Sequence, residues 1–187
     1  MSVTEEVNSC VSVLRKGGVI LYPTDTIWGI GCDATNELAV KRVFEIKSRP
    51  SAKAMIILVA EASQIEFYAS VPEVARDLVE YAETPLTIVY PDAKRIAPSL
   101  ISEDGTIAIR VVKDDFCKMI INNLRKPLVS TSANISGEPA PAYFDEISDE
   151  IKKKMDYVVP LRQSEHKKSA PSRIIKIGMN GAIEIIR

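Results

Sequence analysis

Strand and helix signals that alternate along the chain, a Gly/Asn-rich turn between two closing strands, and a length suited to one core predict an α/β protein. Its architecture is a mixed parallel and antiparallel sheet with flanking helices. The 187 residues, 46% hydrophobic and 26% charged, are expected to form one domain over 1–187.

The first element is a helix over Thr4 to Lys16. Apolar residues recur at Val7, Cys10, Val11 and Leu14, with Glu5 and Glu6 early, Arg15 and Lys16 late and Gly17 beyond, which suits the helix dipole and a glycine stop. Val19 to Tyr22 reads as a buried strand stopped by Pro23. The segment Thr24 to Asp33 reads as a polar-aromatic loop, and Asn36 is a good N-cap for a helix over Glu37 to Lys47. Further strands are expected at Ala54 to Val59, Leu86 to Tyr90, Thr106 to Val112 and Pro127 to Ser130. Helices are expected at Pro72 to Tyr81 and Asp114 to Leu124. Gly178-Met179-Asn180-Gly181 joins strands at Ser172 to Ile177 and Ala182 to Ile186 as a hairpin, so the sheet is mixed. The polar, basic run Gln163 to Pro171 reads as a surface loop, with closure over a site as the alternative.

Composition then narrows the chemistry. Lys and Arg number 24 against 25 Asp and Glu, a net charge of -1, which does not suit a protein that coats nucleic acid. His166 is the lone histidine, so a His-rich zinc site is excluded and a catalytic triad would have to use that residue. Cys10, Cys32 and Cys117 form no C-x-x-C pair, which argues against a disulfide framework and for a reducing compartment. The acidic N-terminus is not that of a signal peptide and no apolar run is long enough to span a bilayer. A cytoplasmic location without membrane association is therefore expected.

Balanced overall, the charge is uneven locally. Lys41, Arg42, Lys47, Arg49 and Lys53 face only Glu45, while Glu61 to Glu83 holds six acids and Arg76. A solvated helix face is the plain reading of the basic segment. Pro50, however, ends the helix and lets Lys47, Arg49 and Lys53 converge on one anion such as a polyphosphate. Lys47 and Arg49 are placed on a polar rim, where truncation should spare the fold. No G-x-x-x-x-G-K-[ST] motif occurs, and Gly29 to Ala34 fits G-x-G-x-x-A without opening a helix, so side chains must do much of any nucleotide binding.

A second polar cluster, Ser130-Thr131-Ser132-Ala133-Asn134-Ile135-Ser136-Gly137, follows a strand. It is either an ordinary turn or a set of ligand contacts at a strand end. Its serines are not triad nucleophiles, because His166 sits in a hydrophilic run. Arg110 shares a strand face with Ala108, opposite Ile107 and Ile109. It either snorkels from an edge strand or holds a carboxylate.

Together, Tyr22-Pro23-Thr24-Asp25-Thr26-Ile27-Trp28-Gly29-Ile30-Gly31-Cys32-Asp33, Lys47-Ser48-Arg49-Pro50 with Lys53, Thr84-Pro85-Leu86-Thr87, Ile109-Arg110-Val111 and the Ser130 to Gly137 stretch resemble the YrdC-like family in order and spacing. The resemblance, to short bacterial threonylcarbamoyl-AMP synthases, runs from about Gly17 to Ile177. It implies a twisted mixed sheet around a positively charged cavity. It also implies synthesis of L-threonylcarbamoyladenylate from L-threonine, bicarbonate and ATP, with release of pyrophosphate, for threonylcarbamoyladenosine formation at tRNA position 37.

Residue by residue, the resemblance assigns Lys47 and Arg49 to the ATP phosphates as the catalytic cations, and Ser132 and Asn134 to the nucleotide. Thr24, Thr26, Lys53, Arg110, Ser130 and Ser172 go to threonine, with Arg110 on its carboxylate. Lys53 stands where many members have His, and Pro171-Ser172-Arg173 where many have P-S-T. Mg2+ arriving with ATP, no protein-bound metal and no organic prosthetic group are implied. The product would pass to a tRNA-modifying transferase complex, with weak RNA binding a further partner interaction. Longer members carry an appended C-terminal domain, which is not expected here. The alternative is a non-catalytic YrdC-like module that binds structured RNA or nucleotide.

Overall fold

In the computed structural model, residues 2–48, 55–166 and 170–187 are described. Arg49 and Lys53, and the first residue of the strand expected at Ala54 to Val59, lie outside them.

Helix α1, Val3–Arg15, opens with a capping box: Ser2 and Glu5 exchange side-chain to backbone hydrogen bonds, and Val7, Cys10, Val11 and Leu14 are buried. It packs on α4, Asp115–Leu124, which begins where the Asp114 carboxylate accepts the Cys117 N–H and ends on Arg125 at φ 58°. Helix α2, Glu37–Ile46, starts with Asn36 accepting from the Leu38 and Ala39 N–H groups and ends on Lys47 as its C-cap. Helix α3, Glu73–Tyr81, buries Ala75 fully and leaves Tyr81 exposed. The short α5, Asp149–Lys153, is capped by Ser148. Among the described residues no helix is long and apolar enough to cross a membrane.

The strands are β1 (Ile20–Tyr22), β2 (Gly29–Gly31), β3 (Ile56–Val59), β4 (Leu86–Tyr90), β5 (Ile107–Val111), β6 (Leu128–Ser132), β7 (Tyr157–Val158), β8 (Arg173–Ile177) and β9 (Ile183–Ile185). They form one sheet in the order β7-β1-β2-β6-β3-β5-β4-β8-β9. The β1·β7, β3·β5 and β4·β8 pairs are parallel and the others antiparallel. The mixed sheet with flanking helices that the sequence predicts is therefore present.

Four local expectations change. Residues 29–31, expected in a loop, pair on both sides, with β1 and with β6. Strand β6 reaches Ser132, so the first residues of the polar cluster belong to the sheet. Helix α5 and strand β7 were not expected. Strand β5 is interior, between β3 and β4, so Arg110 does not snorkel from an edge.

Strand β2 is glycine-bounded because β1 and β6 come close there. A Cβ on Gly31 would lie 2.5 Å from the Val129 carbonyl oxygen and 2.6 Å from the Tyr22 ring, and the Tyr22 hydroxyl donates to that same carbonyl at 3.1 Å. A methyl group there has no space without moving backbone. Gly31→Ala is expected to lower stability by about 1–3 kcal/mol, as overpacking does, seen as a lower urea midpoint at unchanged slope. A wild-type midpoint would show that the contact is soft.

Candidate functional site

The sheet face that carries Ile56, Ser130, Arg110 and Ile174 borders a cavity of about 200 Å3. Cross-strand register explains the grouping: Ile56 opposes both Ala108 and Ser130, and Arg110 opposes Thr87, which in turn opposes Ile174. Residues directly opposite each other share a face. Thr26, Thr131, Ser132 and Ser172 add to the polar lining, and among the described residues the two charged ones on it are Arg110 and the exposed Arg187. No carboxylate lines it among the described residues. A groove of about 1000 Å3 between α3 and the β8–β9 hairpin is larger but mostly apolar; convergent polar groups favour the smaller cavity as the site.

Proline 23 ends β1 and starts a turn held by one hydroxyl. Thr24 Oγ1 donates to the Ile27 carbonyl at 2.8 Å and accepts the Thr26 N–H at 3.0 Å. It also lies 3.0 Å from Thr26 Oγ1. Because the Thr24 proton is committed to Ile27, Thr26 is the donor in that pair, and its own lone pairs remain for a ligand. Thr24 is buried and shapes the turn, whereas Thr26 lines the cavity.

Arg110 is buried, its side chain 4% exposed, and Nη1 donates to Asp25 Oδ1 at 2.6 Å. Asp25, 13% exposed, accepts the Lys113 N–H at 3.1 Å on its other oxygen. The Arg110 Nε makes no hydrogen bond. A guanidinium carries five N–H donors, and among the described residues one of these has a protein acceptor.

The polar cluster is organised by Lys47, against its expected place on a polar rim. Lys47 is 1% exposed. Its ammonium donates to the Ser132 carbonyl at 2.5 Å, the Asn134 carbonyl at 2.7 Å and Asn134 Oδ1 at 3.3 Å, while its own carbonyl accepts the Ser136 N–H at 2.8 Å. The Asn134 amide donates to the Ile135 and Glu138 carbonyls at 3.1 and 2.6 Å. The loop after β6 is thus wound around the C-cap of α2. The expectation that truncating Lys47 spares the fold does not survive this burial.

Ser172 is buried, with its hydroxyl 2.8 Å from Thr87 Oγ1. Its carbonyl accepts from Arg187 Nη2 at 3.1 Å and Nε at 3.3 Å. Of the residues the sequence points to, Thr26, Arg110, Ser130, Ser132 and Ser172 line one cavity. Thr24, Lys47 and Asn134 support it from behind, and Arg49 and Lys53 lie outside the described residues. Asp25 and Arg187 were missed: a charge pair separated by 85 residues has no sequence signature, and Arg187 follows the last strand signal by one residue.

Other chemistries are disfavoured. His166 is 60% exposed, 3.8 Å from Asp145, and does not line the cavity. All three cysteines are buried. Burial pushes the Cys10 thiol up to about 12 and those of Cys32 and Cys117 well above the usual range, so none is an activated nucleophile at neutral pH. No group of three or more His, Cys, Asp or Glu among the described residues could hold a metal.

The Arg162 guanidinium ties the turn before the polar, basic run to this site. It donates to Asp114 at 2.6 Å, Glu165 at 3.0 Å and the Thr24 carbonyl at 3.1 Å. Residues 167–169 of that run lie outside the described residues, and with them the question of closure over the cavity.

The Sua5/YciO/YrdC family model, described as Telomere recombination, matches residues 12–187. The putative threonylcarbamoyl-AMP synthase of Methanocaldococcus jannaschii is 37% identical over 187 residues, covering 97% of this chain and 86% of that protein. The threonylcarbamoyl-AMP synthase of Pseudoalteromonas translucida is 34% identical over 189 residues, covering 98% of each. The crystal structure of P. abyssi Sua5 complexed with L-threonine superposes with a TM-score of 0.82 at 27% identity, over 95% of this chain and 52% of that one. This chain thus spans about half of that longer protein. Matched across nearly all of its residues and sharing more than a third of them with a relative, the chain belongs to the Sua5/YciO/YrdC family.

Proposed function

We propose that this protein is a threonylcarbamoyl-AMP synthase, which joins L-threonine, bicarbonate and ATP into L-threonylcarbamoyladenylate and pyrophosphate for tRNA modification. The observation that carries the reading is the buried Arg110 guanidinium, with unfilled donors, on a cavity of about 200 Å3 that no described carboxylate lines. That volume lies below the roughly 300–1,000 Å3 of sites for drug-sized ligands. It suits an amino acid and leaves the triphosphate to extend along the Ser132 to Gly137 loop. The relatives' names and the L-threonine complex of P. abyssi Sua5 support the same substrate.

In this reading the Arg110 guanidinium takes the threonine carboxylate, and Thr26, whose lone pairs are free, accepts from a threonine N–H or O–H. Ser130 and Ser172 close the pocket, and Lys53 is a further threonine contact in this reading. The amine and bicarbonate condense to a carbamate with loss of water. A carbamate oxygen then attacks the α-phosphorus, and pyrophosphate leaves. Two anionic reactants repel by about 4 kcal/mol per charge pair at 4 Å and an effective dielectric near 20, so positioning and cationic charge are the main requirements.

Arg49 supplies phosphate contacts, Ser132 and Asn134 the nucleotide side, and Lys47 lends its charge from beneath the loop it holds. Magnesium enters with ATP as part of the substrate, since the described lining has no carboxylate to keep it as a resident ion. Transfer of the labile product to a tRNA-modifying transferase complex completes the role.

The deciding assay is pyrophosphate release from ATP and bicarbonate with and without L-threonine. A threonine-dependent signal is expected, and nucleotide or RNA binding without it would overturn the reading in favour of a binding module. Lys47→Met should lower turnover about 10²–10³-fold, the usual consequence of removing one electrostatic donor. The same change should destabilise the fold by about 1–3 kcal/mol, because two carbonyls lose a charged partner. Parallel rate and thermal-melt measurements check both effects.

A further inference from the structure

The Arg110 guanidinium has a fixed orientation before any ligand arrives, and the group that fixes it stands outside the cavity. Asp25 does not line the cavity, yet it holds Arg110 Nη1 at 2.6 Å. Its second oxygen is occupied by the Lys113 N–H at 3.1 Å, just beyond the end of β5. Held by backbone through Oδ2, the carboxylate meets the guanidinium through Oδ1 alone. The contact is single, and among the described residues no acceptor meets the other N–H groups, Nε among them. A bidentate Asp25 would have consumed the fork that a substrate carboxylate needs.

Asp25 also lies between Thr24 and Thr26, whose hydroxyls form the turn that carries Thr26 to the cavity. One carboxylate therefore sets the position of both polar groups proposed to meet the amino acid. It also supplies the counter-charge without which a side chain as buried as Arg110 would stand uncompensated.

We propose that Asp25 is the positioning residue for Arg110: by holding the guanidinium through one N–H, it keeps the remaining donors set for the substrate carboxylate, and so controls amino-acid affinity without touching the amino acid. The inference rests on the synthase reading above.

The test compares wild type with Asp25→Asn, which removes the charge and the obligate acceptor pair at nearly constant volume. Initial rates are measured over L-threonine and over ATP, L-threonine binding is followed by calorimetry, and L-threonine methyl ester, which lacks the carboxylate, serves as competitor. The KM for L-threonine is expected to rise at least about tenfold, with the KM for ATP within about twofold. The methyl ester should compete equally well with both proteins, because its binding does not use the guanidinium fork.

An unchanged threonine KM in the folded variant would overturn the proposal. So would a parallel rise in both KM values, or equal weakening of acid and ester, since those mark a general structural loss. If Asp25→Asn does not fold, Asp25→Glu keeps the charge but moves the carboxylate by one methylene, and the same threonine-selective rise is expected; its absence overturns the proposal. Failure of the wild-type protein to bind L-threonine would bring down the synthase reading and this inference with it, whereas a binding wild type with indifferent Asp25 variants would remove the inference alone.

Discussion

A guanidinium buried on an interior strand is the constraint around which this molecule is arranged. Taking such a charge out of water costs several kcal/mol unless a partner compensates it, and β5 places Arg110 between β3 and β4 with a side chain 4% exposed. Asp25 meets that need from the turn that follows β1. The turn can reach because Pro23 ends β1 early and Thr24 folds the next residues back on themselves. Strand β2 then returns along β1, and its glycines allow β6 to approach closely enough to present Ser130 and Ser132.

The second support is Lys47, and it works differently. Arg110 is neutralised by a carboxylate, whereas the bonds Lys47 makes to Ser132 and Asn134 are to carbonyl oxygens. The loop from Ser132 to Gly137 is held by a cation, and the C-terminal end of α2, where carbonyls point outward, is a favourable place for that cation. Burial explains how a residue can be both a scaffold and an electrostatic element, roles that a solvated rim position would separate.

Much of this was readable from sequence, for reasons that can be assigned. Helices α1, α2 and α4 each carry an apolar stripe and a side-chain N-cap, so periodicity and capping agree. The alternation of Ala108 and Arg110 against Ile107 and Ile109 was legible because a strand has period two, and that face does line the cavity. Strand β2 was not legible: Gly-Ile-Gly has low strand propensity, and its pairing depends on close approach by Tyr22 and Val129 that only the fold supplies. Lys47 was misjudged because a cation at a helix end is usually solvated, and nothing local reveals that a loop some 85 residues later wraps over it. Asp25 escaped for the same reason, its partner being just as remote.

The two cations divide the site electrostatically in a way that matches the substrates of the proposed reaction. At the Arg110 end Asp25 offsets the buried guanidinium and the other lining cation, Arg187, is exposed to solvent, which suits an amino acid whose carboxylate needs directed N–H donors more than net attraction. At the loop end Lys47 brings a buried ammonium beneath the residues from Ser132 onward, which suits a polyphosphate whose like charges repel one another by about 4 kcal/mol per pair at 4 Å in a medium of effective dielectric near 20. Directed N–H donors at one end and a buried ammonium under the loop at the other give each reactant its own place, in a chain whose net charge is only -1.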